Sequence, residues 1–510
     1  MRLNGVMTSA LFPLLRDDLA AAAFTVDALG TLWGEDAAAA LHRGQRVPAR
    51  RALARVAGGG PLGTLATLFV LGLESSRASA EGALPRLGVE GAERLGLVAL
   101  EGDSVRPLLD LRPYSFVDAR GAGAWWIASD LGELALGGAI PEHHVLGVGG
   151  ASTTLSGLML SEAVDSVLDL GTGCGIQALH ASRHARRVVA TDISQRALDL
   201  AAFNAALNDV SNIELRLGSL FEPVAGERFD QIVSNPPFVI TPRTEGVPAY
   251  EYRDGGLVGD ALVEQVVRES ADHLTPGGVV QLLGNWEYRS GDDGLERVQG
   301  WLENVSLDAW VIERETQDAA LYAETWIRDG GTRPGTPNFD RLYAAWLDDF
   351  EERGVTGVGF GYLTLRAPLG GTVTLRRFER VDGALGRNEA GLGAHIAASL
   401  AAHDAQLALS DADLARIRLV VAGDVTEERY YWPGDEDPTV MDLRQGGGFG
   451  RTEPLGTALA AVVGASDGEL SVGAICAAIA ELLGVDETEL LAEVLPEIRR
   501  LLVTGFVAVA

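Results

Sequence analysis

The stretch Val167-Leu168-Asp169-Leu170-Gly171-Thr172-Gly173-Cys174-Gly175-Ile176 restricts this 510-residue chain more than any other. The apolar run ending at Leu168 reads as a buried strand of a parallel sheet. Three glycines at alternate positions follow, and residues 177–184 read as the start of a helix. A strand, a glycine turn and a helix N-terminus leave backbone N–H groups and open space for a ligand. A purely steric β–α turn uses such glycines as well, so the residues that follow have to decide between the two.

Arg187-Val188-Val189-Ala190-Thr191-Asp192 reads as a second strand with a carboxylate at its end, 21 residues after Gly171. A carboxylate placed there in a βαβ unit accepts both ribose hydroxyls of a nucleoside. A helix cap is its alternative use, and Ser194 is expected to cap the helix over 195–208, leaving Asp192 for the ligand. A third strand over 213–216 runs into Gly218-Ser219-Leu220-Phe221. The fourth, Phe229-Asp230-Gln231-Ile232-Val233-Ser234, stops at Asn235-Pro236-Pro237-Phe238. Two prolines fix φ, supply no N–H and end the strand in a stiff loop. That loop offers the Asn235 side-chain carbonyl and the backbone carbonyl of Pro236 as acceptors, with the Phe238 ring alongside. The combination suits a flat group bearing an NH2.

Together these residues resemble the class I S-adenosylmethionine (SAM)-dependent methyltransferases, in the branch with an Asn-Pro-Pro-Phe/Tyr loop. The branch holds protein-glutamine N5-methyltransferases, ribosomal-RNA guanine-N2 methyltransferases and adenine-N6 methyltransferases. The resemblance covers about residues 140–367. It implies an α/β fold with a seven-stranded Rossmann-like sheet. It places Asp169, Gly171, Gly173 and Gly175 around the methionine part of SAM. Asp192 then holds the ribose, Ile193 lies against the adenine, and Ser219 and Leu220 lie at the adenine edge. The family often has Asp where this chain has Ser219. Asn235, Pro236, Pro237 and Phe238 match the catalytic loop position for position. The stretches 221–224 and 253–278 resemble the glutamine enzymes, whereas Phe rather than Tyr at 238 leans toward the guanine-N2 enzymes.

Before this region, residues 1–115 read as helices followed by a hairpin around Glu101-Gly102-Asp103, a winged-helix-like or cap module. Residues 119–124 read as a loose turn before a strand at Trp125. Residues 145–155 read as a flexible approach to a first helix over 156–162, with Thr153 or Thr154 able to offer a hydroxyl to a ligand. His143-His144 reads as a surface turn, and His180 and His184 as ordinary helix residues with no third metal ligand beside them, so no metal is expected. Beyond the fourth strand, sixth and seventh strands at 309–312 and 357–366 flank a helical insertion over 318–353. Its aromatics Tyr322, Trp326, Phe339, Tyr343, Trp346 and Phe350 fit either a small core or a substrate-side cover. Residues 376–385 read as a boundary. Residues 381–510 read as an acidic α+β accessory module, also winged-helix-like, with a flexible glycine loop over 445–451. The expected domains are thus 1–115, 116–380 and 381–510.

The net charge of −30, carried without a single lysine, disfavours a polyanionic partner. No DNA partner and no membrane span or secretory signal are expected, and two cysteines cannot form a disulfide framework, which fits a cytoplasmic protein. The expected activity is SAM-dependent N-methylation of a planar NH2. A glutamine amide of a protein, such as a translation factor, comes first as substrate and a ribosomal or transfer RNA base second. A small-molecule methyltransferase and a non-catalytic SAM-binding scaffold are the alternatives.

Overall fold

The computed structural model describes residues 9–56, 58–137 and 140–510. The chain divides into two compact units, one of Met1–Ser156 and Glu162–Arg380, the other of Gly157–Ser161 and Val381–Ala510.

The first unit is built on one sheet. Its strands are β1 (Val164–Leu170), β2 (Ala185–Asp192), β3 (Ile213–Leu217), β4 (Phe229–Ser234), β5 (Leu274–Arg289), β6 (Asp308–Asp318), β7 (Val355–Arg366) and β8 (Arg376–Arg380). They lie in the order β8-β6-β7-β5-β4-β1-β2-β3. β1 to β5 run parallel, and β7 is antiparallel to both β5 and β6. The sheet therefore has eight strands where seven were expected. Arg376–Arg380, read from sequence as a boundary, pairs in parallel with Ala309–Glu313 of β6. Its sequence, Arg-Arg-Phe-Glu-Arg, lacks the apolar run of a central strand, and a charged edge strand leaves no such signal.

Helices α1 (Gly150–Leu158), α2 (Ile176–Ser182), α3 (Gln195–Leu207), α4 (Ala261–Glu269) and α5 (Gly294–Trp301) accompany the strands. The expected first helix over 156–162 begins six residues early, so half of the segment read as a flexible approach is helical. The inserted helices α6 (Ala319–Asp329) and α7 (Pro337–Glu352) lie between β6 and β7. Val167, Leu168, Ile232 and Val280 are fully buried, the pattern of strands covered on both faces.

The described residues of 1–115 and those of 116–380 other than 157–161, expected as separate domains, fall in one compact unit and share a core. Leu11, Phe12, Leu15, Leu19 and Phe24 cluster with Ile176, Leu179, Leu200, Phe203 and Leu207 of α2 and α3. A long hairpin, Leu109–Asp118 with Gly121–Asp130, joins the two parts; its second strand begins inside the expected loose turn. The side chains of Asn204 in α3 and of Asn208 at its C-terminal end accept from the Ala128 and Trp126 N–H at 2.7 and 3.0 Å, and Trp126 Nε1 donates to the Phe24 carbonyl at 2.7 Å.

The second unit combines the helices Gly393–Leu407, Thr457–Gly464, Val472–Leu483 and Glu487–Thr504 with two three-stranded sheets. Its glycine loop, expected to be flexible, is fastened: Gly447 N donates to Asp424 at 2.7 Å and Gly448 N to Asn388 at 2.9 Å. Among the described residues no helix is long and apolar enough to cross a membrane.

Candidate active site

Strand register assembles the site. Leu170 of β1 stands opposite Thr191 of β2 on one side and Ser234 of β4 on the other. The next residues, Gly171, Asp192 and Asn235, therefore leave the sheet side by side at its carboxyl edge, the usual ligand edge of an open α/β sheet. All three line one cavity of about 620 Å3.

The glycine turn forms one wall. Gly171 and Gly173 have φ of +75° and +55°, and a Cβ at either would meet nothing within 4 Å. That open cradle admits a ligand against the backbone. Gly175 serves another purpose: a Cβ there would lie 3.0 Å from Ala201 Cβ, so it allows α2 and α3 to approach. Asp169 departs from the expectation too. It is fully buried beneath the turn, outside the cavity lining, with Oδ2 accepting from Thr172 Oγ1 at 2.5 Å and Oδ1 unpartnered. Burial pushes its carboxyl up to about 7. It holds the turn through Thr172 and does not line the cavity.

Asp192 faces the cavity, with a different local role for its neighbour. Ser194 makes no side-chain cap bond to α3. Asp192 instead accepts from Ser194 N through Oδ1 and from Gly173 N through Oδ2, both at 2.9 Å. Each carboxylate oxygen keeps acceptor capacity for a hydroxyl. Burial raises the Asp192 pKa, and the backbone donors oppose that rise. Ile193, 70% exposed, offers an apolar face beside it, and Ser219 and Leu220 complete this end. A nucleoside-bearing ligand such as SAM fits these walls: cradle, hydroxyl acceptor and apolar plate lie in one cavity. Burial pushes the nearby Cys174 thiol up to about 11, so it stays protonated.

At the other end Asn235, Pro236 and Pro237 line the cavity. Asn235 Oδ1 is buried and has no hydrogen-bond partner. A buried acceptor left unmatched costs about 1–3 kcal/mol, and this one belongs to a residue that lines the cavity. Phe238 is absent from this lining. Its ring lies 6.5 Å from Trp326, edge-on, and 5.6 Å from Phe360, because the insertion supplies an apolar partner there.

Residues 149–306 match the model of the methyltransferase small domain. This part of the chain is a class I methyltransferase domain. Residues 21–108 match a domain of unknown function (DUF7059). The chain is 37% identical over 133 residues to a ribosomal protein uL3 glutamine methyltransferase of Bradyrhizobium diazoefficiens, covering 24% of this chain and 41% of the relative. It is 39% identical over 131 residues to a release factor glutamine methyltransferase of Xylella fastidiosa, covering 24% and 47%. A release factor glutamine methyltransferase of Cereibacter sphaeroides is 41% identical over 130 residues, covering 23% and 46%. The chain thus spans less than half the length of these relatives.

The methyltransferase domain brings further residues to the cavity that sequence reasoning missed. His144, read as part of a surface turn, is buried, lines the cavity and meets the Tyr252 ring edge-on at 6.2 Å. Burial lowers its pKa, keeping the imidazole neutral. Glu251, Tyr252 and Asp254 join from the stretch after the acceptor loop, and Glu251 N donates to the Glu142 carbonyl at 2.9 Å. From the segment before α1, Ser152 rather than Thr153 or Thr154 lies on the wall; Thr153 Oγ1 donates to the Gly149 carbonyl instead. His180 and His184 are occupied by Tyr114 and Gln231, at 3.1 and 2.7 Å.

Proposed function

We propose that the chain is a SAM-dependent N-methyltransferase acting on a planar NH2, with a protein glutamine side-chain amide as the preferred acceptor. The unpartnered Asn235 Oδ1, in the same cavity as the glycine cradle and Asp192, carries this reading. SAM, when bound, supplies a methyl group activated by its sulfonium sulfur. The glycine turn admits that ligand to the backbone, and Asp192 accepts its hydroxyl hydrogens.

Asn235 Oδ1 takes one N–H of the acceptor amide. An amide nitrogen is a weak nucleophile because its lone pair is delocalised into the carbonyl. Holding its hydrogen at a fixed acceptor orients the nitrogen and draws the lone pair out of conjugation. Pro236 and Pro237 keep that acceptor stiff, so positioning and electrostatics supply the rate. The glutamine methyltransferases among the relatives support the amide over a nucleobase. So does charge: Asp192, Glu251 and Asp254 line the cavity, and among the described residues no arginine does. Such a wall disfavours a phosphodiester backbone.

The test is incubation of the purified chain with methyl-labelled SAM and fractionated lysate. Label is expected in protein, as N5-methylglutamine after hydrolysis under amide-preserving conditions; label confined to RNA or small molecules refutes the substrate. Asn235→Ala is expected to abolish transfer while S-adenosylhomocysteine still binds. Retained transfer refutes the role of Asn235.

A further inference from the structure

The acceptor loop has few internal means of holding its shape. Between residues 236 and 240, Pro236 and Pro237 have no N–H, and the stretch forms no helix and no strand beyond an isolated bridge from Phe238 to Asp254. Two of its three remaining backbone donors are fastened elsewhere. Val239 N donates to the Arg253 carbonyl at 2.8 Å. Ile240 N donates to the phenol oxygen of Tyr322 at 3.0 Å.

Tyr322 lies on the inserted helix α6 and is 3% exposed. Its phenol oxygen also accepts from Asn285 Nδ2 at 2.7 Å. Asn285 belongs to β5 and is 2% exposed. One oxygen therefore joins the loop to the sheet. One turn along α6, the Trp326 ring meets Phe238 edge-on. The Trp326 carbonyl accepts from Arg253 Nη1 at 2.7 Å, tying down the segment that holds Val239. Burial raises the Tyr322 pKa, so the phenol stays neutral.

We propose that Tyr322 is a positioning residue: the inserted helix α6 braces the Asn235–Phe238 loop through the Ile240 amide and the Phe238 ring, and so fixes where Asn235 Oδ1 stands. This rests on the reading that the loop holds the acceptor amide. The insertion is then neither a mere satellite core nor a substrate cover; it is a scaffold for the acceptor loop. Tyr322 touches no ligand, and its effect travels through the backbone of residues 238–240.

Tyr322→Phe removes one oxygen and keeps the ring. Tyr343→Phe, on α7 of the same insertion, is the control. Trp326→Phe tests the second contact and guards against a folding failure of the first variant. Three quantities are read: amide exchange at Ile240, S-adenosylhomocysteine affinity by calorimetry, and label transfer from SAM to N-acetylglutaminamide and to lysate protein. For Tyr322→Phe, exchange at Ile240 is expected to rise at least about tenfold, kcat to fall about tenfold or more, and affinity and the KM for SAM to stay within about twofold. Trp326→Phe is expected to lower kcat by less, and Tyr343→Phe to change none of the three.

Unchanged exchange at Ile240 in Tyr322→Phe overturns the proposal. So does faster exchange with full turnover. If wild-type protein transfers no label to any glutamine, the proposed function fails, and the exchange measurement alone decides whether Tyr322 holds the loop.

Discussion

Ser234 Oγ donates to the Leu170 carbonyl at 2.8 Å, fastening the residue before Asn235 to the residue before Gly171. Both residues are buried, so the bond spans β4 and β1 where the two halves of the cavity begin. Ser234→Ala removes the donor and leaves a buried carbonyl short of a partner, at a cost of about 1 kcal/mol. The expected result is a thermal midpoint lower by a few degrees and a drop in label transfer that exceeds the drop in S-adenosylhomocysteine affinity. Equal losses in both would show that the bond serves folding alone.

The glycines of the turn separate by function. Gly173→Ala places a methyl group in open cavity space, and its left-handed φ adds about 1–2 kcal/mol of strain. Gly175→Ala drives a methyl group to 3.0 Å from Ala201 Cβ and 3.1 Å from its Cα, at a φ of +86°. Calorimetry is expected to show a loss of S-adenosylhomocysteine affinity as the main effect of Gly173→Ala. Thermal unfolding is expected to show a loss of stability as the main effect of Gly175→Ala. The reverse pattern contradicts the assignment.

Asp192→Asn replaces one acceptor oxygen with an NH2 that faces a backbone N–H, either Gly173 or Ser194. Losing a charged acceptor typically costs about 1.5–3 kcal/mol. Affinity for S-adenosylhomocysteine is expected to fall by roughly tenfold or more, and 2′-deoxyadenosine analogues are expected to lose less from this substitution than ribose-bearing ones. Equal losses for the two sugars would remove the ribose from Asp192.

Asp169 predicts a pH dependence. Burial raises its carboxyl from 3.8 to about 7 in the folded chain. Folded protein then holds a proton that unfolded chain releases, so stability is greatest below about pH 4 for this group and falls as pH rises to about 7. At about 1.4 kcal/mol per pH unit the loss amounts to roughly 4 kcal/mol. Asp169→Asn keeps the size and stays neutral. Urea midpoints at pH 5 and pH 8 are expected to lie closer together in this variant than in wild type. Identical pH profiles would mean that Asp169 is not a neutral acid in the folded state.

The cavity wall, free of arginine among the described residues, predicts insensitivity to polyanions. Heparin is expected to leave S-adenosylhomocysteine affinity and protein methylation unchanged, where an RNA-binding surface would be blocked in a salt-dependent way. Strong inhibition by heparin would redirect the substrate search to RNA.

Much of the site was legible in sequence because its pieces are local. The glycine turn, Asp192 and the Asn-Pro-Pro-Phe loop each sit at a strand end, and each residue type has a backbone or acceptor role that neighbouring residues reveal. Ser219, Leu220 and Ile193, implied by the resemblance to the methyltransferases, line the same cavity. Tertiary structure decided what sequence position leaves open. Asp169 and Gly175 belong to the same motif as Gly171 and Gly173, yet the pleat and the α2–α3 approach put one beneath the turn and the other against Ala201. Phe238 found its partners 88 and 122 residues away, at Trp326 and Phe360. Nothing local places His144, Glu251, Tyr252 or Tyr322 at the site, since only long-range packing brings them to the loop or the cavity. The eighth strand was hidden because an edge strand of arginines takes its identity from its neighbour β6 rather than from its own hydropathy. Short-range backbone chemistry is written in adjacent residues; which side chains meet across the fold is settled when the sheet and its insertion pack.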